Sequence, residues 1–322
     1  MMSDDVREAA ARLKRGELVA FPTETVYGLG ADARNPQAVR AIFAAKGRPA
    51  DHPVIVHLPS GDHVGEWARE VPDWAQRLAA RAWPGPLTLI FKRAADVLPE
   101  VTGGQGTVGL RVPSHPTAMA LLEAFGGGIA APSANKFGRL SPTSAQHVMQ
   151  EFGDDVLVLS GAPCGVGIES TIVDCSRETP VILRPGHLDA ATLSEWAGVP
   201  VVYGDRQATT PRVSGSLESH YAPTTPTRLV DAASLSAATD RVLGQHKRVG
   251  VYSHEPPRSA EARLFWRQMA VGPVEVGREL YAMLRDLDTL SLDEILVERP
   301  PDGDAWLAVR DRLQRATARQ SS

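Results

Sequence analysis

The chain has 322 residues, of which 43% are hydrophobic and 22% are charged, and this composition is typical of a soluble globular protein with room for two domains. Its 34 basic and 38 acidic residues give a formal net charge of -4. This balance excludes an overall basic field for nucleic acid and a polybasic membrane patch.

Two cysteines, Cys164 and Cys175, are too few for a disulfide scaffold, and no CxxC motif for zinc or redox work is present. No apolar run approaches the ~20 residues that a membrane-spanning helix needs. The start of the chain also lacks the apolar core of a secretory signal. We therefore expect a cytoplasmic protein.

The first elements in chain order are a helix, a short strand and an unusual polar stretch. Residues 4–15 predict an amphipathic helix, and the apolar run at 18–21 predicts a buried strand. The stretch PTETVYGLGAD at 22–32 follows with hydroxyls, an aromatic ring and two spaced glycines. It is either an ordinary turn or the lining of a site, with Gly28 and Gly30 expected to let backbone approach a ligand.

The next segment is NPQAVRAIFAAKGR, and the residues at its two ends predict a helix between them. Asn35 suits the N-cap, Pro36 the first helical position and Gly47 the left-handed stop. Lys46 falls on the apolar face of this helix, and Arg48 follows it. The two cations could simply stabilise the negative end of the helix, but a bound anion explains a pair of them better.

Strand-like runs then alternate irregularly with helical patterns as far as residue 204. The strands are predicted at 54–58, 87–91, 107–112, 128–131, 156–159, 170–174 and 181–184, and the helices at 73–82, 116–125 and 143–151. Strands and helices mixed in this way, with Gly/Pro turns between them, favour an α/β or α+β domain with a mixed sheet.

The composition changes after residue 204 and predicts three regions. Residues 1–204 form the first domain, and 205–226, rich in Ser, Thr, Pro and Gly, form a linker. Residues 227–322 form a smaller α/β domain with a parallel sheet. Its strands are predicted at 227–230, 248–253 and 294–299, and its helices at 232–244, 274–288 and 304–317.

A dinucleotide-binding fingerprint is the first functional candidate, since GLGADA matches G-x-G-x-x-A and Asp51 lies about twenty residues on. The context disagrees, because the first glycine does not directly follow the strand and Asp51 does not end one. No Walker sequence is present either. If the protein binds a nucleotide, it therefore uses neither of these two motifs.

Polar side chains cluster at the ends of at least five predicted strands, where α/β sheets place their sites. Each has an ordinary alternative. His57 could be a satisfied structural histidine, and Ser141 or Thr143 could cap the next helix. Arg111, inside an apolar strand, must pair either with an internal acid or with a substrate carboxylate.

Six motifs in this order, PTETVYGLGAD, KGRP…HPVIVHL, GLRVP, APSAN, GIESTIVD and LRPG, resemble the YrdC-like family. HYAPTTP in the linker is similar to the long, two-domain form of that family. The resemblance covers residues 1 to about 204, the linker, and the remaining part more weakly. It implies a YrdC-like twisted mixed sheet with a deep cavity and a smaller Rossmann-like C-terminal domain.

The resemblance also implies a reaction, in which L-threonine, bicarbonate and ATP give threonylcarbamoyl-AMP and pyrophosphate. Such a nucleotidyltransferase supplies the threonylcarbamoyl modification of the tRNA adenosine next to the anticodon, through downstream proteins that receive the adenylate. Mg²⁺ is expected to arrive with ATP, and no permanent metal site is expected. No strong direct binding of nucleic acid is expected.

Carried onto this sequence, the family pattern implies three groups of residues. The cations for the reacting phosphates are Lys46 and Arg48. The threonine-binding residues are Thr25, His57, Arg111, Ala131 and Ser170. The ATP-binding residues are Arg48, His52, Thr107, Ser133, Asn135, Ser141, Arg184 and Tyr221, with Tyr221 on a linker that closes as a lid. His52 departs from the Asn that the family usually has before Pro, although His can also donate a hydrogen bond.

Two rivals stand beside this reading. An RNA-binding module would need basic clusters that the sequence lacks. A carbamoyl-adenylate-forming module of hydrogenase maturation would embed this domain among acylphosphatase and zinc-finger segments, and the chain contains neither.

Overall fold

The computed structural model describes residues 3–204, 210–213, 221–257 and 260–318. The chain divides into two compact units. The first comprises Met1–Phe137 and Ser141–Ser216, and the second Gly138–Leu140 and Leu217–Ser322. The predicted linker thus contributes residues to both units.

The first unit is built on an 11-stranded, twisted mixed sheet. Its strands are β1 Val19–Phe21, β2 Gly28–Asp32, β3 Ile55–His57, β4 Ala68–Arg69, β5 Leu87–Arg93, β6 Thr107–Arg111, β7 Ile129–Ala130, β8 Leu157–Val158, β9 Thr171–Asp174, β10 Val181–Arg184 and β11 Val202–Tyr203. They lie in the order β11-β10-β9-β5-β6-β3-β7-β2-β1-β8, with β4 beside β5. The predicted mixed sheet is confirmed.

The described part of the first unit contains seven helices. They are α1 Asp4–Lys14, α2 Pro36–Lys46, α3 Asp73–Ala82, α4 Pro99–Thr102, α5 Pro116–Phe125, α6 Ala145–Phe152 and α7 Ala190–Ala197, with a 3-10 segment at Gly61–Glu66. Their apolar sides pack on both faces of the sheet. Val19 and Phe21 of β1 pack with α1 and α5, whereas Ala20 between them joins the cluster that contains Leu78 of α3.

Helix α2 begins and ends where its sequence predicts. The Asn35 side chain accepts hydrogen bonds from the backbone N–H groups of Gln37 and Ala38, and Gly47 closes the helix at φ +63°. These caps satisfy backbone groups that would otherwise have no partner. They also fix the register of Lys46, the last residue of the helix.

The glycine-rich stretch after the 22–27 loop forms strand β2 rather than a ligand-facing turn. The dinucleotide-binding fingerprint needs these glycines in the turn that follows a strand, so this alternative is wrong. The expectation that Gly30 makes room for a ligand was wrong. A Cβ at Gly30 would lie 2.8 Å from the Phe21 ring and 2.9 Å from Ile129 Cγ2, so core packing requires this glycine. Gly28 similarly faces Phe21 and Ala131.

The second unit contains a four-stranded parallel sheet in the order β12-β15-β13-β14. Its elements are β12 Thr227–Val230, α8 Ala232–Gly244, β13 Val249–Ser253, β14 Leu264–Gln268, α9 Pro273–Asp288, β15 Glu294–Glu298, a 3-10 segment Asp304–Trp306 and α10 Leu307–Thr317. The predicted parallel α/β domain is confirmed, although β14 was missed. None of the described helices is both long and apolar enough to cross a membrane.

Candidate active site

The loop between β1 and β2 is held rigid by Thr23. Its hydroxyl oxygen accepts from the backbone N–H groups of Thr25 and Val26, each at 3.2 Å, and donates to the Val26 carbonyl at 2.6 Å. Because that donation uses the single hydroxyl proton of Thr23, the 2.8 Å contact between the two threonine hydroxyls must be donated by Thr25. The Thr25 oxygen can therefore only accept further hydrogen bonds.

Arg111, at the end of β6, is 4% exposed and points its guanidinium at this loop. Nη1 donates to Thr25 Oγ1 at 2.9 Å, Nη2 to Glu24 Oε1 at 2.6 Å and Nε to the Gly85 carbonyl at 3.3 Å. Of the two partners that the sequence left open for Arg111, an internal acid is present. Sequence reasoning did not single out Glu24, because one acid in a polar loop carries no pattern.

Glu24 is ionised at neutral pH despite its burial. Burial raises the pKa of the Glu24 carboxyl, but the charge and hydrogen bond of Arg111 and the Ser114 backbone N–H together hold it below its ordinary value. The Ser114 N–H donates to Glu24 Oε2 at 3.0 Å. Each carboxylate oxygen of Glu24 thus has a fixed donor.

His57 lies beside Arg111, since the two residues are register partners on the parallel strands β3 and β6. Its side chain is 3% exposed, and Nδ1 has no hydrogen-bond partner within the described parts of the chain. Burial, and next the charge of Arg111, lower the pKa of His57 from 6.5 to about 3. The imidazole is therefore neutral, with one ring nitrogen ready for a ligand.

Lys46 reaches the segment that follows β7. Its Nζ donates to the Ser133 carbonyl at 2.5 Å and to the Asn135 carbonyl. Burial, followed by the nearby charges of Arg48 and Lys136, lowers the pKa of Lys46 well below its ordinary value. The structure therefore joins Lys46 to two of the predicted nucleotide-binding residues, in a place where an anion would relieve the cost of charging it.

Arg48 and His52 lie close to this group. Arg48 is 8% exposed and donates from Nη2 to the Pro53 carbonyl at 3.0 Å. The His52 ring meets the edge of Phe137 at a centroid distance of 5.8 Å. Burial and the charge of Arg48 lower the pKa of His52, so this residue also acts as a neutral imidazole at neutral pH.

Ser170 and Arg184 form a further group at the start of β9 and the end of β10. Arg184 donates from Nε and Nη2 to the Ser170 carbonyl at 3.1 and 3.0 Å, and from Nη2 to Ser170 Oγ at 3.1 Å. Ser170 Oγ also lies 2.8 Å from Thr88 Oγ1. Glu169, which precedes Ser170, accepts at Oε1 from the Ser141 hydroxyl at 2.6 Å, and Ser141 does not cap α6.

Neither Ser141 nor Thr143, the two candidates from the sequence, caps helix α6. Ser144 accepts from the His147 backbone N–H and caps α6. Ser141 is left for its contact with Glu169, which is 6% exposed. Glu169 is thus a second buried acid of the site region that sequence reasoning gave no role.

The β1–β2 loop connects these groups through its backbone. Tyr27 N–H donates to the Pro142 carbonyl at 2.9 Å, Ala134 N–H to the Tyr27 carbonyl at 2.8 Å, and Val166 N–H to the Glu24 carbonyl at 2.7 Å. The loop therefore ties the Arg111 cluster to the segments that carry the predicted phosphate contacts.

Three predicted residues have less polar surroundings. Ala131 donates its N–H to the Ile55 carbonyl at 2.9 Å, and Thr107, half-buried, opens β6 opposite Lys92. Tyr221 belongs to the second unit, where it is 1% exposed. Its ring lies 5.7 Å from Tyr281 and 5.6 Å from the Arg312 guanidinium.

A groove of about 670 Å³ lies elsewhere in the first unit. Apolar side chains, among them Val64, Trp83, Phe91 and Met119, dominate its lining, and none of its described lining residues is charged. It therefore lacks the groups that phosphates or carboxylates require. Across residues 3–204, 210–213, 221–257 and 260–318, no three His, Cys, Asp or Glu residues are grouped as metal ligands.

Comparisons with known proteins agree over residues 11–318. The Sua5/YciO/YrdC family model, described as "Telomere recombination", matches residues 11–186, and the model "Threonylcarbamoyl-AMP synthase, C-terminal domain" matches 187–318. The chain is 39% identical to the threonylcarbamoyl-AMP synthase of Pyrococcus abyssi, covering 97% of this chain and 94% of that protein. It is 38% identical to the Bacillus subtilis enzyme of that name, with 97% and 92% covered.

A solved structure is similar over the same length. The crystal structure of P. abyssi Sua5 complexed with L-threonine has a TM-score of 0.89 and 37% identity to this chain. The similarity covers 97% of this chain and 94% of that one.

Proposed function

The chain belongs to the Sua5/YciO/YrdC family, in the form with a threonylcarbamoyl-AMP synthase C-terminal domain, and we infer from this premise that it synthesises threonylcarbamoyl-AMP for tRNA modification. The observation that carries the inference is similarity to named synthases over nearly the full length of both chains. We propose ATP and bicarbonate as the substrates that react with L-threonine and pyrophosphate as the second product.

Threonine fits the Arg111 cluster chemically. The Arg111 guanidinium would hold the substrate carboxylate through parallel hydrogen bonds. The unpartnered Nδ1 of His57 and the acceptor capacity of Thr25 suit the hydroxyl and amino groups of the substrate. A site with such buried polar groups rejects amino acids that lack the hydroxyl, because its own groups would stay unpaired.

ATP fits the cations around the segment after β7. We propose that Lys46 and Arg48 hold the phosphates, with Ser133 and Asn135 beside them and Arg184 on the far side of the reacting group. Lys46 is buried and its pKa is lowered, so a bound polyanion would favour its charged form. Mg²⁺ would come with the triphosphate and be held mainly by phosphate oxygens and water, where it neutralises charge.

In the proposed reaction the neutral threonine amine adds to bicarbonate with loss of water to give a carbamate. A carbamate oxygen then forms a bond to the α-phosphorus of ATP, and the bond to the bridging oxygen breaks to release pyrophosphate. The charge that accumulates is negative and lies on phosphate oxygens. Alignment and electrostatic stabilisation by fixed cations therefore supply the catalysis, with no strong base required. The pKa of His57, lowered to about 3, makes this imidazole a weak base, which is consistent with a role in orientation rather than proton removal.

We place the protein in the cytoplasm and propose that other tRNA-modifying proteins receive its adenylate. The free, buried thiols of Cys164 and Cys175 suit a reducing compartment.

The test is pyrophosphate release measured with each substrate omitted in turn. Release that requires threonine and bicarbonate together supports the proposed function, and mass spectrometry should identify threonylcarbamoyl-AMP. Release that is equally fast without threonine would overturn it.

A further inference from the structure

The three hydrogen bonds described for the Arg111 guanidinium do not use all of its N–H groups. A guanidinium has five N–H groups, and Arg111 uses one on Nε, one on Nη1 and one on Nη2 for Gly85, Thr25 and Glu24. Among the residues that the structure describes, no partner is left for the remaining N–H on each terminal nitrogen. Two N–H groups from one guanidinium are what a carboxylate needs for a bidentate contact.

The direction of the remaining N–H groups depends on the internal partners. Thr25 is oriented by Thr23, as described above, and Glu24 is oriented by the Ser114 N–H at 3.0 Å. Glu24 is the partner with the formal charge, and its 2.6 Å contact is the shortest that Arg111 makes. Its side chain is 13% exposed, so it lies at the edge of the buried cluster.

Glu24 also joins two parts of the site. It lies in the β1–β2 loop, whereas Arg111 ends β6 and Ser114 lies just beyond that strand. One carboxylate therefore links the loop to the strand end and, together with Thr25 and Gly85, fixes the rotation of the Arg111 fork. Without this charged anchor only the Thr25 and Gly85 contacts would hold the fork, and its terminal N–H groups would be aimed less accurately.

We propose that Glu24 is a positioning residue for the amino-acid substrate, holding the Arg111 fork so that its two spare N–H groups meet the threonine carboxylate. This inference rests on the proposed function. Glu24 acts through Arg111 and takes no part in the transfer to phosphorus. Its loss should therefore weaken threonine binding and leave ATP binding unchanged.

The experiment uses the full chain with Glu24→Gln, which preserves the shape of the side chain. The amide oxygen can satisfy one donor, but the amide nitrogen then faces the other, so one of the two contacts is lost. We expect the dissociation constant for threonine, measured by calorimetry, to rise about 10- to 100-fold, the usual effect of losing a charge-assisted hydrogen bond. The dissociation constant for ATP and the turnover at saturating threonine should stay within about threefold of wild type.

The matched control is Glu100→Gln, because Glu100 of α4 also pairs with an arginine, Arg40 of α2, but neither residue belongs to the proposed site. It should leave both ligands unaffected. Glu24→Asp keeps the charge but is one methylene too short for both contacts, so its threonine affinity should fall between wild type and Glu24→Gln. If Glu24→Gln fails to fold, Glu24→Asp provides the same comparison.

The outcomes separate this inference from the proposed function. Wild-type protein that binds threonine while Glu24→Gln binds it equally well would overturn the inference alone. Equal weakening of threonine and ATP would also overturn it, since that pattern indicates a general structural role. Wild-type protein that neither binds threonine nor releases pyrophosphate would overturn the proposed function and this inference together.

Discussion

Arg111 and Arg184 are both buried arginines of the site, but their described partners differ in chemistry. Arg111 pairs with a carboxylate, whereas Arg184 donates to the carbonyl and hydroxyl of Ser170. Removing the Arg111 side chain would leave the Glu24 charge buried and unpaired, at a cost of about 3–5 kcal/mol in stability. A substitution that keeps the charge is therefore the better probe of Arg111.

We predict that Arg111→Lys mainly weakens threonine and Arg184→Ala mainly weakens ATP. Lysine keeps the positive charge but loses the planar fork, so the dissociation constant for threonine should rise at least 10-fold. Titration of each variant with each ligand checks the prediction. Two variants that lose the same ligand to the same degree would contradict the assignment of roles.

His57 makes folding stability depend on pH in a predictable direction. Its pKa is 6.5 when unfolded and about 3 when folded, so the unfolded chain binds one more proton between these values. Stability from a neutral His57 is therefore complete above pH 6.5 and falls as the pH drops towards 3. Between pH 7.5 and 5 this group alone should cost wild type about 2 kcal/mol of unfolding free energy.

The measurement is denaturant unfolding of wild type and His57→Gln at both pH values. Glutamine does not titrate, so the variant should lose about 2 kcal/mol less than wild type over the same range. Equal losses would mean that the pKa of His57 is not lowered in the folded protein, which would contradict the effect of burial assigned to this imidazole.

At the scale of single elements, Gly30 shows how packing fixes β2. A Cβ there would overlap Phe21 and Ile129, so Gly30→Ala should lower the unfolding free energy by about 1–3 kcal/mol. Gly109 in β6 is the matched control, because its added Cβ would find ordinary contacts of 3.5 Å or more. Gly109→Ala should change stability by less than about 1 kcal/mol. Equal effects in thermal or denaturant unfolding would contradict this account.

The elements that sequence reasoning predicted well are those with local causes. Helix α2 is specified by Asn35, Pro36 and Gly47, which act within a turn of their own positions. Strand β2 was missed because its glycines lack the side chains that mark a strand. Their absence makes sense only once Phe21 and Ile129 are known to fill the space.

The site residues also divide into those that could be predicted from the sequence and those that could not. Resemblance to a family named the polar residues, and the structure joins Lys46 to Ser133 and Asn135, and Arg184 to Ser170. The Glu24–Arg111 pair could not be predicted, because it joins residues 87 positions apart and only the folded sheet brings them together. Long-range pairing of this kind has no periodic signal in one sequence.

At the scale of the whole molecule, the boundary of the first unit extends beyond the end of its last strand. Arg212 donates its N–H to Gln105 Oε1 at 2.7 Å and its Nη2 to the Gly103 carbonyl at 2.9 Å. Val213 packs with Ile90 and Ile172. Part of the predicted linker is therefore structural for the first unit.

This attachment leads to a prediction for two truncated chains, one ending at residue 204 and one at residue 213. The longer chain should be more stable by about 1–3 kcal/mol, because it keeps the Arg212 hydrogen bonds and the buried Val213 side chain. Both should bind threonine like the full chain, since Thr25, His57 and Arg111 lie in the first unit. Denaturant unfolding and calorimetry provide the two measurements.

The two truncated chains should differ from the full chain in how they bind ATP and release pyrophosphate. If Tyr221 closes over the nucleotide, both shortened chains lack that contact, and water reaches the carbamate and the mixed anhydride. Pyrophosphate release should then fall at least 10-fold while threonine affinity is unchanged, and the ATP dissociation constant should rise. Unchanged turnover in the chain that ends at residue 213 would contradict the lid, and loss of threonine binding in the same chain would contradict the placement of that site within the first unit.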